Sequence, residues 1–255
     1  MYSKINSVFW LAVIALITLP LSAHATQTKI EGYTNALSFA PGEKVTFHVS
    51  TTAPNYSIRI TRSGVVEEIV WEKSGIPGKN HPVPERAWEN GPGWPESLSL
   101  KIPADWRSGY YIITFMTYGV AGQRDQSEHF FVLRSANPGK DTKIVMMIPT
   151  STLNAYNYWG NNLYESATKV SLLRPIAPGF ISKPEIEDSR IADTGEPNEN
   201  YEADYFKWLE KHDLPQWVGA AGWATYEHPF VRWAEGEGYR FDYMTSEDLI
   251  QPPNC

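Results

Sequence analysis

From residue 28 to residue 135, apolar and polar positions alternate in short runs. Val45-Thr46-Phe47-His48-Val49-Ser50, Tyr56-Ser57-Ile58-Arg59-Ile60 and Leu98-Ser99-Leu100-Lys101-Ile102 each place an apolar side chain at every second residue. Tyr110 to Thr117 and His129 to Leu133 follow in the same style. A period of two is that of a strand with one face in a core. Turn formers punctuate the runs: Ala40-Pro41-Gly42-Glu43, Arg62-Ser63-Gly64 and Trp106-Arg107-Ser108-Gly109. About seven short strands so separated predict an immunoglobulin-like β-sandwich over 28–135. The stretch Ile76 to Pro95, rich in Pro, Gly and Trp, reads as an irregular excursion from that sandwich.

A polar linker, Ser135 to Asp141, closes this region, and the pattern then changes. Ile144-Val145-Met146-Met147-Ile148 is a continuous apolar run stopped by Pro149, as expected of a parallel strand (143–149) buried on both faces. A polar, aromatic loop follows it, containing Asn154, Tyr156, Asn157, Tyr158, Trp159 and Gly160. Open parallel sheets bind ligands beyond the carboxyl ends of their strands, which is where this loop would lie. The alternative is a loop whose aromatics only pack over the sheet. Lys169 to Pro175 forms a second segment, and 176–200, acidic and rich in Pro, Gly and Asn, is expected to be a surface loop. Tyr201 to His212 predicts an amphipathic helix with Tyr205, Trp208 and Leu209 on one side. Pro229 to Glu235 predicts another, and Tyr239 to Thr245 a returning strand. Together these make a βαβ unit over 141–255, the start of a doubly wound α/β domain of flavodoxin-like or glutamine-amidotransferase-like kind. Two parallel strands do not bury both faces of a sheet. The sequence is therefore expected to be the amino-terminal portion of a longer protein, or else to take its remaining strands from another polypeptide. By the same reasoning, the sheet edge beside 241–245 is expected to be open.

Composition narrows the setting. Lys4, the apolar run Val8 to Leu19 and the small-x-small Ala23-His24-Ala25 make residues 1–25 a secretory signal peptide, so the mature chain is expected to be exported to the periplasm or beyond, free of the membrane. The alternative, a membrane anchor, is disfavoured by the shortness of the run and by Pro20. The formal charge is −7, and loss of residues 1–25 with their one Lys takes it to −8, which argues against nucleic acid as a partner. Cys255 is the only cysteine, so neither an internal disulfide nor a cysteine metal site is open to this sequence. No Gly-x-Ser-x-Gly, phosphate-binding loop or dinucleotide fingerprint occurs.

Five blocks stand in one order: IEGYTNALSFAPGEKVTFHVSTTAP, ENGPGWPESLSLKIPADWRSGYY, MMIPTSTLNAYNYWGNNLY, SLLRP and HPFVRWAEGEGYRFDYMTSEDL. Together they resemble the large (beta) subunit of N,N-dimethylformamidase and its relatives. The resemblance implies hydrolysis of a small amide at a mononuclear Fe(III) site held by two tyrosines and a glutamate. Phenolate and carboxylate are hard anionic donors that suit Fe(III). It places one tyrosine ligand at Tyr156 in Ala155-Tyr156-Asn157, with Tyr156 and Asn157 as the catalytic pair. Tyr226 and His228 are candidates for the second ligand, with Tyr205 behind them; relatives carry Tyr where this chain has His228. The family's glutamate lies in a Gly-His-Asp-Glu-Tyr-Trp type segment that the resemblance places after Leu249, and none of these 255 residues matches it, so the third ligand is missing from this chain. Relatives also carry a second Gly where this chain has Asn161. A homo-oligomer or a small partner subunit is left open. The competing function is a secreted, non-catalytic carbohydrate-binding sandwich that uses Trp71, Trp88, Trp94 or Trp106 as a platform.

Overall fold

A computed structural model describes residues 28–118, 124–163, 167–184 and 201–250. The signal-peptide assignment and most of the 176–200 stretch lie outside the described residues. Eight strands occupy the first half: β1 (Ile30–Thr34), β2 (Ser38–Phe39), β3 (Lys44–Thr51), β4 (Asn55–Ser63), β5 (Glu68–Pro77), β6 (Leu98–Lys101), β7 (Gly109–Tyr118) and β8 (Arg124–Leu133). They form a three-stranded sheet, β1-β3-β6, and a five-stranded sheet, β2-β8-β7-β4-β5. All pairs are antiparallel except β2 with β8. The alternation seen in the sequence is what closes them. Val45, Phe47 and Val49 of one sheet meet Ile58, Ile60, Tyr111, Ile113, Phe115 and Phe131 of the other in a single apolar core. Trp106, Tyr111 and Phe131 stack in sequence at 5.2 and 5.1 Å. The Tyr111 hydroxyl donates to the Arg107 carbonyl, 2.6 Å away, and pins the start of β7. β5 was not anticipated; it takes the first two residues of the expected excursion, and a short helix, α1 (Ala87–Asn90), stands within the remainder.

The five-stranded sheet has a second buried face. Tyr110, Ile112, Phe130 and Val132 point away from the sandwich core and into another cluster, with Ile148, Leu153, Ile176, Phe180, Trp208, Leu209, Val218, Trp223, Val231 and Tyr243. That cluster belongs to the second half of the chain: β9 (Val145–Ile148), α2 (Thr150–Tyr156), α3 (Tyr201–Lys211), α4 (Glu227–Gly236), β10 (Asp242–Thr245) and α5 (Ser246–Ile250). β9 and β10 pair in parallel, Met146 opposite Tyr243, as a strand–helix–strand unit requires. Among the described residues this sheet has two strands.

Three readings are corrected. β9 is not buried on both faces: Ile148 is buried, but Val145 and Met147, on the other face, are 55% and 44% exposed, since two strands leave one face open. The stretch after Pro149 is not all loop, because Thr150 to Tyr156 is helical. Residues 176–181 are not surface loop: Ile176, Ala177, Phe180 and Ile181 are buried in the shared core. Among the described residues the other edge of β10 pairs with no strand, as expected, and its Tyr243 N–H donates to Ser108 Oγ of the sandwich at 2.8 Å.

Polar contacts lock the two halves. Arg62 of β4 pairs with Glu235 of α4 at 3.1 Å, with both side chains largely buried. Arg134 pairs with Asp248 of α5 at 3.0 Å. His129 of β8 is fully buried beside Phe130, with Nδ1 3.4 Å from Thr34 Oγ1. Burial lowers its pKa from 6.5 to about 4. A depressed His pKa means the folded state holds the ring neutral while the unfolded chain takes up a proton below 6.5. The stability this residue contributes is whole above pH 6.5 and is lost as the pH falls towards 4, in total about 3 kcal/mol. Urea unfolding at pH 7 and pH 4.5 should show wild type losing more stability than His129→Gln. Equal losses in the two proteins would refute this.

Candidate functional site

α2 starts directly behind the Pro149 breaker and ends at Tyr156, so the residue singled out by sequence stands at the last turn of a helix beyond the carboxyl end of β9. The Tyr156 ring is half-buried and lies 6.1 Å from Trp217, tilted by 39°. Trp217 belongs to a 3-10 turn, Gln216–Gly219. Tyr226, at the head of α4, donates from its hydroxyl to the Gly219 carbonyl at 2.9 Å. Tyr205 of α3 donates to the Gln216 carbonyl at 3.1 Å. Gly219 makes room for this, because a Cβ there would lie 2.8 Å from the Tyr205 hydroxyl. Three tyrosines distant in sequence thus gather around one turn.

His228 serves the other side of α4. Its ring stacks on Trp223 at 5.5 Å, and Nε2 lies 3.3 Å from Glu67 Oε1. Trp223 in turn lies flat on Tyr110 at 3.9 Å, and Tyr110 on Phe130 at 4.8 Å, a column of four rings crossing between the halves. The Trp223 indole donates to Ser63 Oγ, and Ser63 donates to Glu67. Burial raises the pKa of Tyr110, with Glu227 and Glu128 adding to it, so the phenol stays neutral in the column. Burial likewise raises Glu128 and Glu227.

Asn157 is buried and its amide binds backbone through both its nitrogen and its oxygen. Nδ2 donates to the Pro175 carbonyl at 2.9 Å, and Oδ1 accepts from Ala177 N at 2.9 Å and Trp159 N at 3.2 Å. Trp159 reaches back to the sandwich, donating from Nε1 to Glu31 and meeting Trp94 edge-on at 6.2 Å. Gly160 and Asn161 both have positive φ, 85° and 64°. Asn adopts that left-handed position more readily than other side chains do.

Phenol oxygens are the donor chemistry that this turn offers. Among the described residues no group of three His, Cys, Asp or Glu is arranged to hold a metal ion. Phenolate oxygen is a hard anionic donor of the kind that suits Fe(III), whereas His228 in its observed rotamer belongs to the seam. A cleft of about 980 Å³ opens elsewhere, between Arg62 to Glu68, Ala104 to Ser108, the linker and Glu235 to Asp242, and its lining residue Glu67 faces His228. The sandwich tryptophans are occupied in packing: Trp94 is buried, Trp71 stacks on Phe47 and Trp106 on Tyr111, while Trp88 lies under Arg86. Sequence reasoning missed Trp217, Gly219 and Arg174. The last had a signal, an arginine set between Leu173 and Pro175 in an otherwise apolar segment.

Similar solved structures are distant. The sporulation control protein Spo0M of Bacillus subtilis is 11% identical, over 44% of this chain and 51% of that one, with a TM-score of 0.31. The chain thus spans about half the length of Spo0M. Domain 1 of VCBP3 from Branchiostoma floridae is 12% identical, over 44% of this chain and 98% of that one, at a TM-score of 0.29. Likeness this slight carries no argument about the fold or the site. No curated protein matches the sequence. A family-level match covers residues 57–255, from β4 through both sides of the seam to the last residue. The chain belongs to the N,N-dimethylformamidase beta subunit-like, C-terminal family.

Proposed function

We propose that this chain is an exported amide hydrolase of dimethylformamidase type, acting on a small amide, with an immunoglobulin-like sandwich supporting the first unit of a doubly wound α/β domain. The observation that carries the reading is the gathering of Tyr156 and Tyr226 on the Gln216–Gly219 turn, beyond the carboxyl end of β9, in a chain of this family. The Tyr111 hydroxyl bond back to Arg107 supports the sandwich assignment, since it is the tyrosine corner of immunoglobulin-like domains. Tyr156 and Tyr226 would hold Fe(III), which when bound polarises an amide carbonyl and acidifies a bound water. For Tyr226 this requires its hydroxyl to leave the Gly219 carbonyl, because a ligating phenolate donates no hydrogen bond. Asn157 acts on the backbone around Tyr156 and sets the direction of that phenol.

The test is spectroscopic. Full-length protein given Fe(III) and then freed of excess by gel filtration should retain the metal and show a visible phenolate-to-iron charge-transfer band. Protein that retains no iron and stays colourless would overturn the reading.

A further inference from the structure

Arg174 is only 1% exposed, yet it carries a guanidinium into the core. A buried charge is costly unless its donors are matched, and here the matching is nearly complete. Nε donates to the Ser171 carbonyl at 2.9 Å and Nη1 to the Trp159 carbonyl at 2.7 Å. Nη2 donates to the Asn154 carbonyl at 2.9 Å and to Asn154 Oδ1 at 3.2 Å. All four acceptors are neutral. One of them, the Asn154 carbonyl, lies in the last turn of α2, where backbone acceptors lack helical partners and the helix end favours a cation. The remaining cost shows in the arginine itself, whose pKa burial lowers to about 10.

The contacts bracket Tyr156. Arg174 grips residue 154 on one side and residue 159 on the other, while Asn157 binds Pro175 and Ala177 in the return direction. The two side chains therefore tie 154–159 to 171–177 through both strands of the connection. Outside them, Trp88 closes the assembly: its carbonyl accepts from Ser171 N at 2.9 Å, and its Cβ would lie 3.1 Å from a Cβ at Gly160. Only a planar fork satisfies acceptors spread over three residues at once; the ammonium of a lysine is a point donor. The SLLRP segment is thus more than a surface connection.

We infer that Arg174 is a positioning residue for Tyr156: with Asn157 it clasps the helix end and the loop on either side of that tyrosine and fixes its ring against Trp217. What Tyr156 does there rests on the proposed function; that it is held there does not. A ligand held by such a surround is pre-organised, and loosening the surround weakens metal binding without removing any ligand atom.

Arg174→Lys and Arg174→Gln in the full-length chain test this, read by amide hydrogen exchange and by Fe(III) titration. Both variants should speed exchange of the amides of 154–160 by about tenfold or more while β3, β4 and β7 keep their protection. Both should bind Fe(III) at least about tenfold more weakly and shift the charge-transfer band, with all tyrosines intact. Unchanged exchange at 154–160, or acceleration equal throughout the protein, overturns the clasp. If wild-type protein binds no Fe(III), the proposed function falls, and the exchange pattern alone decides whether Arg174 holds the segment. If exchange is local but Fe(III) binds equally well, Arg174 is a structural tie and not a positioning residue.

Discussion

Tyr156→Phe is expected to lower hydrolysis of small amides by the full-length protein about 100-fold or more, and to remove most of the visible iron band. The substitution deletes one oxygen and nothing else. The ring that packs near Trp217 is retained, so the fold should keep its stability to within about 1 kcal/mol. Thermal unfolding therefore separates loss of chemistry from loss of structure. Tyr226→Phe should weaken the band as well and, because its hydroxyl also holds the Gly219 carbonyl, should disturb the 216–219 turn. If Tyr156→Phe hydrolysed amides as fast as the parent and kept its colour, the metal would lie elsewhere and the three-tyrosine turn would be only a packing feature.

A second large effect is expected at Trp223. This residue is 1% exposed, lies flat between Tyr110 and His228, and donates its indole N–H to Ser63. Trp223→Ala removes the middle of the ring column and leaves a cavity at the point where the outer face of the five-stranded sheet meets the second half. Truncations of this size cost about 3–5 kcal/mol. The loss of the Ser63 contact adds about 1 kcal/mol, since Ser63 keeps its bond to Glu67. Urea unfolding should show this as a lower midpoint. Trp223→Phe should recover part of it, because a smaller ring still stacks but cannot reach Ser63. A Trp223→Ala protein within 1 kcal/mol of wild type would mean that the two halves do not depend on one another.

Local chemistry was legible where it acts over a few residues. Alternation at 45–50, 56–60 and 98–102 marked β3, β4 and β6, because a strand half in a core cannot avoid that period. The apolar side of Tyr201 to His212 and the Pro229 start placed α3 and α4 to within a few residues. The parallel pairing of β9 and β10 followed from their spacing and the helices between them. The double face of β7 and β8 was also written in the chain, as Tyr110-Tyr111-Ile112-Ile113 and Phe130-Phe131-Val132-Leu133, where neither face is polar. A continuous apolar run says that both faces are covered but not by what.

The sequence by itself determined the strands of the sandwich and the family, since each depends on residue types at short fixed spacings. Tertiary structure decided the rest. Tyr156, Tyr205 and Tyr226 come to one turn, and His228 turns away to Trp223 and Glu67, because packing brings α2, α3 and α4 against the same short segment. The burial of Arg174 and the openness of Val145 and Met147 were decided in the same way. Whether a side chain is covered depends on elements far off in the chain, and no period in the sequence carries that information.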